Sequence, residues 1–223
     1  GDLHFRSGIQ LCRPRVGSLE YMGQRELGLE NVLSKAKGNM KKYDVILADP
    51  PWTFSVWNAD TSPKHASHKY DLMDTKDICN LSISDMTKDN CVLFLWATWP
   101  NIKEAFDVID AWGFTYRTEA WSWVKAKRSG LGFHFGMGYY TRANTEPCLL
   151  AVKGTMPVAR HDIQALIYYP VREHSRKPDR QYGKVEALYP DMDYLELFAR
   201  PKREGWDVWG NEVESDIEIK VRE

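Results

Sequence analysis

The sequence predicts an α/β fold, a mostly parallel sheet covered by helices on both faces, and three observations carry that prediction. Two continuous apolar runs, Tyr43–Ala48 and residues 91–96, have strand length and no polar alternation, the mark of strands buried on both faces. Stretches with helical apolar spacing lie between such runs. Glycines and prolines stand where those elements should stop.

Tyr43–Ala48 is bounded by Asp49-Pro50-Pro51, which ends a ladder because proline has no N–H to give. After the run at 91–96, Ile102, Ala105, Phe106, Ile109 and Trp112 share one helical face, and Gly113 takes the C-cap place. A third strand is expected over 115–124 and a fourth over 147–152, closing at Gly154. Pro178 opens a second helix whose apolar face holds Tyr182, Val185, Leu188 and Tyr189, and Pro190 ends it. A last buried strand follows at 194–199. In such sheets ligands sit beyond the carboxyl ends of the strands, which directs attention to the residues after Ala48 and Phe198.

A chain of 223 residues can bury a full core as one domain, read as an irregular segment 1–20, a main domain 21–212 and an acidic, frayed tail 213–223. No apolar run reaches the roughly 20 residues of a membrane span, and no secretory leader is visible, so an intracellular (cytoplasmic or nuclear) enzyme is expected. The cysteines, Cys12, Cys79, Cys91 and Cys148, are widely spaced and read as reduced, mostly buried thiols, with neither a disulfide framework nor a zinc site. His65 and His68 lack companion ligands, so no metal is expected. Thirty basic residues nearly balance 31 acidic ones, so nucleic-acid binding would have to come from local patches.

The chemistry concentrates at Asp49-Pro50-Pro51-Trp52. The amino nitrogen of adenine is a poor nucleophile because its lone pair is delocalised into the ring. A site for methylating it should hold both N–H groups with acceptors, which the Asp49 carboxylate and the Pro50 carbonyl supply. Trp52 offers a flat face for an extracted base, and stacking of that kind contributes on the order of 1–3 kcal/mol.

That tetrad resembles the signature of the MT-A family of N6-adenine methyltransferases, whose members modify RNA or DNA. The resemblance extends over residues 43–211 and takes in Tyr70, Leu93-Phe94-Leu95-Trp96, Trp112-Gly113-Phe114 and Trp123-Val124-Lys125. It continues through residues 142–146, Ser175-Arg176-Lys177-Pro178-Asp179, residues 196–200 and residues 209–212. It implies a Rossmann-like class I methyltransferase fold with circularly permuted order, catalytic motif before cofactor motif, and S-adenosylmethionine as cofactor. By that resemblance Asp49 lies at the cofactor and Lys177 meets the methionine carboxylate. Glu196, Leu197 and Phe198 form the cofactor strand and its exit, Arg200 serves the ribose region, and Asn211 and Glu212 take the ribose hydroxyls. Asn31 is a weaker carry-over, at the place where family members hold the cofactor's adenine.

Nucleic acid is the expected partner. Lys125, Lys127 and Arg128 lead into a glycine- and aromatic-rich stretch that ends at Arg142 and Asn144, and Tyr70 belongs to a second loop. Cations position phosphates while aromatics hold unstacked bases. Because the target amino group lies inside a duplex stack, the base must be extruded or single-stranded, so residues 53–70 and 127–144, with four glycines in the latter, are expected to be loops that move. DNA is favoured by the lack of an appended RNA-binding module in these 223 residues, with RNA as the alternative. A homodimer, or a non-catalytic role beside an active partner subunit, is a further alternative. An oxidoreductase is disfavoured, since no G-x-G-x-x-G follows a strand.

Overall fold

The computed structural model describes residues 41–53, 72–138, 140–173 and 176–222, which belong almost entirely to one compact unit, Lys42–Glu223. The expected boundary near residue 20 lies outside the described residues, as do Asn31, His65, His68 and Tyr70.

Seven strands form one sheet in the order β5-β3-β4-β2-β1-β6-β7: β1 Tyr43–Ala48, β2 Thr87–Trp96, β3 Thr115–Ala126, β4 Thr145–Lys153, β5 Leu166–Pro170, β6 Tyr194–Leu197 and β7 Trp206–Trp209. All neighbours pair in parallel except β4, which runs against both β2 and β3. The reversal follows from the β3–β4 connection, residues 127–144, which carries no helix. A parallel pair needs a crossover, whereas an antiparallel pair needs only a turn back.

Among the described residues three α-helices flank the sheet: α1 Thr75–Cys79, α2 Ile102–Ala111 and α3 Arg180–Leu188. Ile46 and Ala48 of β1 pack in one core layer with Ile78 of α1 and Ala105, Val108 and Ile109 of α2. Val45 and Leu47 pack in the other, with Tyr182 and Val185 of α3. The unbroken apolar run 45–48 of β1 is thereby explained, since each buried aliphatic side chain on either face contributes about 1.5–3 kcal/mol. At the end of α2, Gly113 adopts φ 81° while its N–H reaches Asp110 and that of Phe114 reaches Ile109, a Schellman closure that a side chain at 113 would strain. The Trp112 indole donates to the Ile78 carbonyl at 2.9 Å and ties that closure to α1.

β5 and β7 were not expected as strands. Both are four- or five-residue edge strands with alternating burial, so neither shows the continuous apolar run that marks the centre of a parallel sheet. The tail also departs from expectation: it is docked, not frayed. Ile217 and Ile219 pack on the first core layer, Leu81 bridges Val221, and Asp216 exchanges backbone and side-chain hydrogen bonds with Val208. The period-2 apolar spacing 217, 219, 221 outweighs the acidic composition there. Cys91 and Cys148 are buried and Cys79 partly so, all as free thiols. No helix among the described residues is long and apolar enough to cross a membrane.

Candidate active site

Asp49 follows the last residue of β1, and Phe198 the last of β6, its parallel neighbour, so both stand at the carboxyl end of the sheet. Because β4 runs the other way, its second residue, Glu146, arrives at the same end. Lys177 is brought in by the segment that enters α3. The local turn is set by proline: the Trp52 N–H closes on the Pro50 carbonyl at 2.9 Å, and the Met73 N–H on the Pro51 carbonyl at 3.0 Å. The Pro50 oxygen therefore carries one bond and keeps a second lone pair.

Four charges form a chain through this end of the sheet. The Lys177 ammonium donates to both Asp49 oxygens, at 2.7 and 2.8 Å, and lies 3.0 Å from Glu146, whose other oxygen is 2.7 Å from Lys125. It also sits over the Trp96 ring, 5.4 Å from the centroid. Two cations and two carboxylates balance, which is what allows this much charge to be buried. Burial pushes the Asp49 carboxyl above its ordinary range, only partly offset by Lys177. Burial would raise Glu146 too, but Lys177 and Lys125 together hold it low. Burial pulls the Lys177 ammonium down, and its two carboxylates more than reverse that. The Asp49 side chain remains 27% exposed, so the turn is open to a ligand.

Several sequence expectations meet a different arrangement. Trp52 is 4% exposed, and its indole donates to the Trp96 carbonyl at 3.0 Å, so the ring is part of the core and presents no face for stacking. It follows Pro51 in a tight turn, and its ring packs in the first core layer. The Lys177 ammonium is engaged by Asp49 and Glu146, partners that the sequence did not indicate. Lys125 points into the charge chain instead of toward phosphate. Glu196 is buried on the α3 side, both oxygens accepting from the Tyr182 hydroxyl at 3.0 Å.

The remaining expected residues make other contacts. Leu197 is core, while Phe198 takes φ 61°, a left-handed conformation that a phenylalanine adopts only under constraint, and meets Trp209 edge-on. Arg200 lies 3.5 Å from Glu212, and exposed Asn211 adjoins it, where β6 and β7 exit side by side. Arg128 donates to the Arg172 carbonyl at 3.3 Å, and Arg142 stands 5.5 Å over the Phe135 ring. The backbone of Lys127 bonds to Gly132 and the carbonyl of Asn144 accepts from Lys125, so both residues brace the base of the β3–β4 loop.

Two residues were missed by sequence reasoning. Glu146 is a lone acid in an apolar strand, a signal that a partner must exist. Trp99, just beyond β2, is 51% exposed and has its indole fixed by Thr145 at 3.0 Å. It offers the open aromatic face that Trp52 does not.

Burial raises the Glu196 carboxyl to about 7, against a free value near 4.3. The folded chain therefore binds this proton more tightly than the unfolded chain does, and the stability so contributed is lost as pH rises through about 7. Glu196→Gln, which keeps an acceptor for Tyr182, should flatten that part of the curve. Melting temperatures of wild type and variant that change in parallel between about pH 4.5 and 7 would contradict this assignment.

An MT-A70 family model matches residues 43–212, the span that holds every group described above. The chain belongs to the MT-A70 family. The MT-A70 chain is 32% identical over 200 residues to the type II methyltransferase M.MunI of a Mycoplasma species, covering 82% of this chain and 83% of that one. It is 31% identical over 189 residues to human N(6)-adenine-specific methyltransferase METTL4, covering 78% of this chain and 38% of the relative. With the human N(6)-adenosine-methyltransferase catalytic subunit METTL3 it shares 29% identity over 177 residues, 78% of this chain and 28% of the relative. The match thus spans most of M.MunI but well under half of either human protein.

Proposed function

We propose that this MT-A70 chain transfers a methyl group from S-adenosylmethionine to the exocyclic amino nitrogen of adenine in DNA. The observation that carries the proposal is the Asp49-Pro50 turn, partly open at the carboxyl end of β1, with its carboxylate fixed by Lys177 and Glu146. Asp49 accepts one amino N–H and the spare lone pair of Pro50 the other, which aims the nitrogen lone pair and draws electron density toward it. As the new N–C bond forms, the S–CH3 bond breaks to leave a neutral thioether, and the amino nitrogen sheds a proton. A carboxylate whose proton affinity burial has raised is suited to take it.

The donor supplies an electrophilic methyl on a sulfonium. Exposed Asn211 and Glu212, with Arg200 beside them, have the amide and carboxylate acceptors that suit a ribose diol. In this reading Lys177 orients Asp49 and is not the reader of the donor's carboxylate. Trp99 takes the stacking role, its indole held rigid at the rim.

DNA is favoured because the match that covers both chains nearly throughout is with a type II methyltransferase. The test offers labelled S-adenosylmethionine in parallel to duplex DNA, single-stranded DNA and RNA, followed by nucleoside analysis. Label is expected in N6-methyldeoxyadenosine. Label confined to N6-methyladenosine reassigns the substrate to RNA, and no labelled adenine nucleoside overturns the proposal.

A further inference from the structure

The β3–β4 loop carries a row of apolar side chains that the core does not use. Phe133, Phe135 and Met137 recur at every second residue, and Leu131 precedes them across Gly132, whose φ of 75° turns the chain. Leu131, Phe135 and Met137 are 79%, 76% and 79% exposed. Scattered exposed apolar residues are ordinary, but a concentration of them in one loop marks a contact surface.

The row is held firmly at its root. The His134 N–H reaches the Lys125 carbonyl at 2.7 Å, and Phe133 meets Tyr168 edge-on at 6.0 Å while the Tyr168 hydroxyl donates to Gly132 at 3.2 Å. Further out the two sides of the loop close tightly: a Cβ on Gly136 would come within 1.9 Å of the Ala143 carbonyl, and one on Gly138 within 1.8 Å of that of Thr141. Glycine is required at both places by that approach. The result is a narrow loop, braced at its base and rich in exposed apolar side chains.

Charge and position say what it meets. Between Glu119 and Glu146 there is no acid, whereas Lys127, Arg128 and Arg142 flank the row. Such a surface is complementary to a polyanion. The loop springs from the residue after Lys125, which is joined through Glu146 and Lys177 to Asp49. It therefore rises beside the site where a base must leave its stack.

The geometry points to a duplex-opening wedge: Phe135 and Met137 enter the base stack beside the target adenine and fill the space it vacates, while the flanking cations hold the adjoining phosphates. This rests on the proposed adenine-methylating function. Apolar side chains inserted between base steps are a known means of unstacking a duplex, and flipping a base requires a few kcal/mol that such insertion offsets.

The test uses the full chain and its Phe135→Ser/Met137→Ser variant on three DNAs: a fully paired duplex, the same duplex with an abasic site opposite the target, and a single strand. The duplex-to-single-strand ratio of kcat/KM is expected to fall at least about tenfold in the variant, with the abasic duplex largely restoring it, given the few kcal/mol of unstacking at stake. In parallel, 2-aminopurine at the target position should brighten on binding wild type and much less on binding the variant. That signal needs no methyl transfer, so it separates failure of the wedge from failure of the methylation reading. Equal loss on all three DNAs, or no loss, overturns the wedge. Equal loss accompanied by a shift from dimer to monomer in sedimentation overturns it in favour of a surface between copies of this chain.

Discussion

Asp49→Ala is expected to lower methyl transfer by at least about a hundredfold while the chain still folds, because one carboxylate serves both as acceptor for the amino group and as proton acceptor. The fold should survive since Lys177 keeps Glu146 at 3.0 Å, although Glu146 is then shared with Lys125 and some stability is lost. Asp49→Asn is the sharper probe. It preserves shape and one acceptor oxygen but turns an amide toward the Lys177 ammonium and cannot take up the proton. Its turnover should lie near that of the alanine variant, with nucleic-acid affinity little changed. Labelled-methyl transfer alongside thermal melting measures both quantities, and wild-type turnover by either variant removes Asp49 from the reaction.

Lys177→Met should be the most destabilising single change near the site. It leaves the Asp49 and Glu146 carboxylates in place without the ammonium that now joins them, and Lys125 compensates only Glu146. Breaking a buried pair in this way costs about 3–5 kcal/mol, or roughly 6–20 °C in melting temperature for a domain of this size. Adding Asp49→Asn should recover part of the loss, because the uncompensated charge goes with it. Activity should fall with stability, since Asp49 would lose the group that sets its orientation. If Lys177→Met instead melts like wild type and only S-adenosylmethionine affinity drops, measured by calorimetry, then Lys177 reads the methionine carboxylate directly and the resemblance-based expectation stands.

These two residues also illustrate how much was legible in the sequence. Asp49 was legible because it ends an unbroken apolar run and is followed by two prolines, a combination that places a carboxylate at the mouth of a parallel sheet. Lys177 was identified as a site residue through family resemblance, but its partner was not. The ammonium meets a side chain 128 residues away, and nothing in local spacing encodes that distance. Trp52 shows the opposite error. Its place in the motif suggested a platform, yet a tryptophan after a tight turn has a large apolar surface to bury, and burial with a satisfied indole N–H decides its position.

The amino-acid sequence by itself determined the α/β class, the central strands β1, β2 and β6, the helices α2 and α3 with their glycine and proline limits, and the end of the sheet where chemistry belongs. Those features follow from local periodicity and backbone restriction, which act over a few residues. Only the tertiary structure decided the reversed course of β4, the pairing of the edge strands β5 and β7, and the docking of the tail. The reversal of β4 matters most, because it carries Glu146 to the side of Lys177 and Asp49 and so completes the balanced charge chain. Strand direction and long-range ion pairing depend on which surfaces remain to be buried once the local elements exist, and that is a property of the assembled molecule.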